Sequence, residues 1–304
     1  MLNIAALRQQ QIPLAAEPRS PVPFHILMKP IGPACNLACR YCYYPQDETP
    51  VNKMDEARLE QFIRRYIAAQ PVGAREINFV WQGGEPLLAG LSFYKKALAL
   101  QARYAPDGVT ISNSLQTNGT LINDAWCRLF REHRFIIGLS LEGSEALQDQ
   151  HRPDKRGRAS WPAALRGIGF LHQHQVDFNL LVVVHNEMAA HAAAIYDRLV
   201  SLGARYLQFQ PLMSEGAALR EGYQLSADNW GAFYGRHLAA VAEALRQGAG
   251  VRHQYRAGVG AVLHSHQRQL RAQRPLRQQS GDGARRRALR LRPSDQRRTS
   301  TGPP

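Results

Sequence analysis

Apolar residues recur along this chain with two alternating periods. Residues 54–69 place Leu59, Phe62, Ile63, Tyr66 and Ile67 at helical spacing. Helical patterns also cover 91–104, 123–133, 160–174, 188–202 and 226–246. Asn123 and Asp124 stand where a helix cap is needed. Between the helical stretches lie short apolar runs that read as strands: 24–30, 77–81, 109–116, 135–141, 178–184 and 206–212. Six strands alternating with helices predict a parallel α/β fold, either open or barrel-shaped. The near-continuous apolar runs predict strands covered on both faces.

The unusual motifs sit just after strands. CNLACRYC follows the first, QGGEP the second, TNG the third, EGS the fourth, and QPLM ends the sixth. Ligands in parallel α/β folds bind at the carboxyl ends of the strands. The sequence therefore predicts one shared mouth for these motifs.

The cysteine loop carries the clearest chemistry. Cys35, Cys39 and Cys42 have the spacing C-x3-C-x2-C. Thiolates so close together bind soft metals or iron–sulfur clusters. Three ligands fit a [4Fe-4S] cluster with one iron left open. The alternative is zinc, completed by a histidine or Cys127, although structural zinc sites usually use two separated ligand pairs. Cys127, alone in a helical pattern, reads as a small buried hydrophobe.

Other candidates have plainer alternatives. Gly83 and Gly84 would let backbone approach a ligand closely. Glu85 could accept from an ammonium group, or QGGEP could be a tight turn with a helix beginning at Pro86. Ser140 ends a strand at the same mouth. Arg152 suits a carboxylate through its planar fork, or is a solvated loop residue. Asn118 could be a turn residue with positive φ. Glu142 could cap, or bind ribose hydroxyls. His151, His172, His174 and His185 read as surface or packing residues.

Composition narrows the classes. The 304 residues are 44% apolar, enough for a substantial core, with no run long enough to span a membrane. The N-terminus lacks the basic start and apolar stretch of a secretory signal. Clustered cysteines point to a metal site in a reducing compartment, hence to the cytoplasm. The net charge of +14 is concentrated in the tail: from Arg252 onward, 13 Arg against 2 Asp leave +11 there and only +3 elsewhere. The body is not a basic nucleic-acid-binding surface, and such a tail attracts polyanions nonspecifically.

The combination of CNLACRYCYYP, WQGGEPLLAGLSFY, NSLQTNGTLI and GLSLEG closely resembles the radical S-adenosylmethionine (SAM) enzymes called anaerobic sulfatase-maturating enzymes, the serine-type branch above all. The likeness runs from about residue 22 to about residue 230. It implies an N-terminal extension over 1–21, a partial (β/α)6 barrel of parallel strands over 22–230, and a helical continuation over 231–250. It implies that Cys35, Cys39 and Cys42 ligate the SAM-cleaving cluster. Tyr41, Gln82, Gly83, Gly84, Glu85, Ser140 and Arg152 match SAM-holding positions. Met213 matches an apolar contact on the adenine side, and Tyr44 a substrate-side tyrosine.

The implied reaction cleaves SAM to methionine and a 5′-deoxyadenosyl radical. The radical takes hydrogen from Cβ of a sulfatase serine; loss of the hydroxyl proton and one electron then gives Cα-formylglycine. The expected partners are a sulfatase polypeptide and a reducing donor such as flavodoxin or ferredoxin, with no membrane and no nucleic acid. The alternatives are a radical SAM enzyme acting on another peptide, or a non-enzymatic metal- or nucleic-acid-binding protein using the tail. The family's C-terminal domain holds two further [4Fe-4S] clusters and a catalytic aspartate. This chain has no cysteine after Cys127, and Asp282 and Asp295 lack the matching context, so no base is assigned. The Arg-rich segment 251–304 reads as an out-of-frame translation of that domain, beginning between about 231 and 250.

Overall fold

The computed structural model describes residues 18–44, 53–204, 206–212, 223 and 225–247. Met213, most of the N-terminal extension and the Arg-rich tail lie outside the described residues. The elements are β1 (Leu27–Met28), α1 (Glu56–Ala68), β2 (Glu76–Trp81), α2 (Leu91–Tyr104), β3 (Thr110–Thr117), α3 (Asp124–Glu132) and β4 (Ile136–Ser140). They continue with α4 (Glu145–His151), α5 (Trp161–Gln173), β5 (Phe178–Val184), α6 (Ala192–Ser201), β6 (Leu207–Pro211) and α7 (Ala227–Gln247).

All five strand pairings are parallel, and the strand order is that of the sequence, β1 to β6. Parallel crossovers are almost always right-handed. When each strand also adds on the same side of its predecessor, every helix falls on one face. That is the winding of a barrel, not of a doubly wound sheet. Among the described residues β1 and β6 do not pair with each other. The architecture is therefore the open, partial (β/α)6 form.

One layer of helices covers one face only, and this corrects the expectation of strands covered on both. Ile77, Phe79 and Trp81 of β2, Leu115 of β3, and Ile137 and Leu139 of β4 are buried. They pack with Ile63, Tyr66, Tyr94, Phe130 and Leu171 from the helices. Asn113, on that buried face, is matched: it accepts from Trp81 Nε1 at 2.8 Å and exchanges two bonds with Gln101. The opposite face carries Asn78, Ser112, Ser114, Gln116 and Ser140, all partly accessible. Only β5 keeps the near-continuous burial that its FNLLVVV sequence predicts.

Three boundaries differ from expectation. β1 shrinks to two residues because Pro23 and Pro30 bracket it and Leu27 is 57% exposed at the sheet edge. The helical stretch 188–202 divides into a 3-10 turn, Asn186–His191, and α6. The segment EALQDQH, with too few apolar residues to show a period, forms α4, capped by the Ser144 hydroxyl on Leu147 N–H. The predicted cap of α3 does form, with Asn123 accepting from Trp126 N–H at 3.1 Å.

α7 packs an imidazole against apolar rings. His237 lies 4.6 Å from the Phe209 ring and 5.0 Å from Tyr196, and burial lowers its pKa to about 4. The unfolded chain takes up this proton near pH 6.5, whereas the folded chain resists until about pH 4. Stability is thus lost as pH falls through that window. Urea titrations should show a smaller loss between those pH values for His237→Leu than for the parent chain.

Candidate active site

The loop after β1 is set by backbone bonds to two other loops. Gly84 N–H donates to Gly32 O at 2.9 Å, and Glu85 N–H to Ala34 O at 2.8 Å. On its far side Ala38 N–H donates to Pro153 O and Arg40 N–H to His151 O, both at 2.8 Å. Gly84 has no alternative residue: an added Cβ would stand 2.0 Å from Ala34 O and 2.4 Å from Pro33 O. Gly83 adopts φ +129°, a conformation reserved for glycine. The glycines therefore admit the cysteine loop's own backbone, beyond the ligand approach expected of them.

These contacts bring Cys35, Cys39 and Cys42 to one cavity of about 360 Å³ at the carboxyl ends of the strands. Tyr41, Tyr44, Gln82, Gly83, Gly84, Ser140 and Arg152 line the same cavity, as the sequence predicts. Glu85 does not line it. The residue is fully buried, and its carboxylate accepts from Leu87 N–H at 3.0 Å, Thr117 Oγ1 at 2.9 Å and Asn118 N–H at 2.8 Å. Burial raises its pKa to about 7 against the pull of those three donors. In this geometry Glu85 ties the glycine turn to the TNG turn.

A polar row crosses the cavity floor. Gln82 Nε2 donates to Gln116 Oε1 at 2.9 Å, and Gln116 Nε2 donates to Ser140 Oγ at 3.4 Å. Beside it lies a buried charged cluster. Tyr41 Oη donates to Glu142, while Arg152 Nη1 reaches Tyr41 Oη at 3.1 Å and Glu142 Oε1 at 3.4 Å. Arg152 is not the solvated loop residue that a charged stretch suggests; it caps the end of α4 and is 7% exposed. Burial alone would lower its pKa, but Tyr41, Cys39 and Glu142 outweigh that and hold the guanidinium charged. Burial raises the pKa of Glu142, with Arg152 opposing.

The thiols lie in the same field. Burial raises Cys35, and raises Cys39 to about 11, with Arg152 pulling both down. Leu37 N–H and Asn118 Nδ2 both approach Cys35 Sγ, at 3.4 and 3.8 Å. Among the described residues no histidine and no fourth cysteine lines the cavity, and Cys127 is fully buried among apolar side chains. Among the described residues, then, no histidine and no fourth cysteine is placed to complete a zinc site with the trio. Three soft donors facing a mixed cavity, with a row of polar side chains on its floor, fit a cluster with an open position.

Sequence reading passed over some lining residues. Gln116, Lys155 and Gln210 face the cavity. The period-two run Ser112, Ser114, Gln116 was the available signal for the first. Asn118 does not take positive φ; the following Gly119 does, at 78°. Of the two readings open for His151 and His185, surface or packing, their 1% and 0% exposure leaves packing.

Residues 30–199 match the Radical SAM superfamily. The chain belongs to that superfamily. It is 95% identical over 233 residues to a serine-type anaerobic sulfatase-maturating enzyme of Klebsiella aerogenes, covering 77% of this chain and 58% of the relative. A serine-type enzyme of Bacteroides thetaiotaomicron is 38% identical over 226 residues, covering 73% of this chain and 51% of that one. The solved structure of native anSMEcpe with bound AdoMet and Kp18Cys peptide superposes with a TM-score of 0.68 at 30% identity, over 74% of this chain and 61% of that one. This radical SAM chain thus spans between half and three fifths of the length of these curated relatives.

The clasp between the loops yields a direct test. Gly84→Ala should destabilise the fold by at least about 3 kcal/mol, because its Cβ meets backbone that cannot rotate away. Denaturant titration measures this, and a change under 1 kcal/mol (roughly) would mean the loops are not in contact.

Proposed function

We propose that this chain carries the SAM-cleaving half of a serine-type anaerobic sulfatase-maturating enzyme. The observation that supports it most is the meeting, in one cavity, of the cysteine trio, the glycine turn, Ser140 and Arg152. The 95% identity to the Klebsiella aerogenes enzyme supports the same reading.

In this reading Cys35, Cys39 and Cys42 hold a [4Fe-4S] cluster, and SAM occupies the rest of the cavity. When bound, the pair supplies one-electron cleavage of the sulfonium and with it the capacity to remove a hydrogen from an unactivated carbon. The chain's own residues then position and enclose. Gly83 and Gly84 let the turn after β2 lie directly against the cysteine loop, at the edge of the cavity. Arg152, kept charged by Tyr41 and Glu142, offers a guanidinium fork to a carboxylate. Gln82 and Ser140, linked through Gln116, would offer polar atoms to hold the cofactor. Glu85 acts by holding two turns together; for Met213, outside the described residues, the adenine-side role rests on the family resemblance alone. Tyr44 stands on the substrate side. Excluding water from such a cavity protects a reactive centre from quenching.

The substrate is a sulfatase serine, which loses two hydrogens to become Cα-formylglycine. One leaves Cβ as a hydrogen atom; the hydroxyl proton passes to a base and the second electron to a one-electron acceptor, neither of them assigned to a residue of this chain. A flavodoxin- or ferredoxin-like donor supplies the reducing electron, and the cytoplasm provides the reducing setting. Among the described residues no helix is long and apolar enough to cross a membrane.

Anaerobic reconstitution should give a brown protein with about four irons per chain. Dithionite and SAM should then yield 5′-deoxyadenosine, and loss of two hydrogens from a peptide of S-x-[PA]-x-R type, read by mass spectrometry, would favour a sulfatase serine over another peptide as the substrate. Cys39→Ala should abolish both iron and 5′-deoxyadenosine. Bound zinc with no 5′-deoxyadenosine would overturn the reading. An iron content near twelve, about three clusters, would overturn the reading of the tail.

A further inference from the structure

Behind the cavity, and not lining it, a second group of metal-competent side chains converges. His151 ends α4, His185 directly follows β5, and Glu187 lies in the 3-10 turn after it. Their ligand atoms all lie within 4.8 Å of one another. His151 Nε2 is 2.9 Å from Glu187 Oε2, and the two imidazole rings are 4.4 Å apart.

A proton between His151 and Glu187 accounts for that pair but leaves His185 unexplained. His185 is 0% exposed, and among the described residues neither ring nitrogen has a hydrogen-bond partner. A neutral imidazole carries one donor and one acceptor, and burying both unpaired is unfavourable. Burial and the adjacent His151 keep this ring neutral, the form that ligates metals.

We propose that His151, His185 and Glu187 form a divalent transition-metal site of the His2Glu type, suited to Zn2+ and distinct from the cysteine cavity. Two imidazoles and a carboxylate make a known zinc donor set with an open fourth position. His151 would ligate through Nε2, while Nδ1–H donates to Tyr223 Oη, 3.1 Å away, and so fixes the ring. Glu187, 45% exposed, leaves an entry path, and Gln150 Nε2 orients it from 3.3 Å. The nearby positive charge of Arg152 is countered by the buried carboxylate of Glu142. The site would brace the cysteine loop, because the His151 carbonyl accepts from Arg40 N–H.

The test uses the full chain after anaerobic iron loading, titrated with Co2+ and then Zn2+. One equivalent of Co2+ should give weak visible d–d bands without the intense near-ultraviolet band of thiolate ligation, and Zn2+ should displace it. Glu187→Gln, at an exposed position that leaves folding intact, should weaken binding at least about tenfold; His185→Gln should abolish it. Iron content should not change in either variant. No uptake by the parent chain, uptake with a thiolate band alone, or undiminished affinity in Glu187→Gln would each overturn the proposal.

Discussion

The site depends on two loops joined by backbone hydrogen bonds. The turn after β2 donates Gly84 and Glu85 N–H groups to carbonyls of the cysteine loop, at a separation no side chain at Gly84 could tolerate. Because peptide groups make the contact, its geometry is insensitive to rotamers. The cysteine loop is then closed on its other side by Pro153 and His151 carbonyls. Sulfur atoms on a loop would otherwise be poorly placed for a rigid inorganic ligand. Here the sheet ends hold them from two directions.

The fold explains why a cavity with polar side chains on its floor exists at all. Strands added in one direction, with helices on one face, leave the other face without a covering layer. That face carries Asn78, Ser112, Ser114, Gln116 and Ser140 in place of apolar residues. A doubly wound sheet would have buried them. The buried charges beside the cavity form a mutually supporting group. Tyr41 and Glu142 hold Arg152 charged, and Arg152 draws down the pKa of Cys35 and Cys39. Removing any member would leave another buried without its partner, which is costly in a low-dielectric setting.

Much of this was legible in the sequence. Six strands could be read because each is a short segment with apolar residues in a run or at alternate positions, set apart by the helical patterns, and the candidate site because its motifs follow strands. What escaped had physical reasons. EALQDQH is helical without apolar periodicity, since α4 is short and its stability comes from the Ser144 cap and from contacts made elsewhere in the chain. With α4 unseen, Arg152 read as a solvated loop residue, whereas tertiary contacts bury it. Glu85 looked like a ligand to an ammonium group, yet its partners Thr117 and Asn118 lie more than thirty residues away and cannot be inferred from local pattern. His151 and His185 are separated by a helix and a strand, so no spacing rule could join them.

The central claim is that three cysteines hold an iron–sulfur cluster with one iron open to SAM. Electron paramagnetic resonance of the anaerobically reduced chain, recorded before and after adding SAM, tests it most directly. A reduced [4Fe-4S] signal whose g values shift when SAM binds is the expected result. A cluster signal indifferent to SAM, or no cluster signal at all, would contradict it.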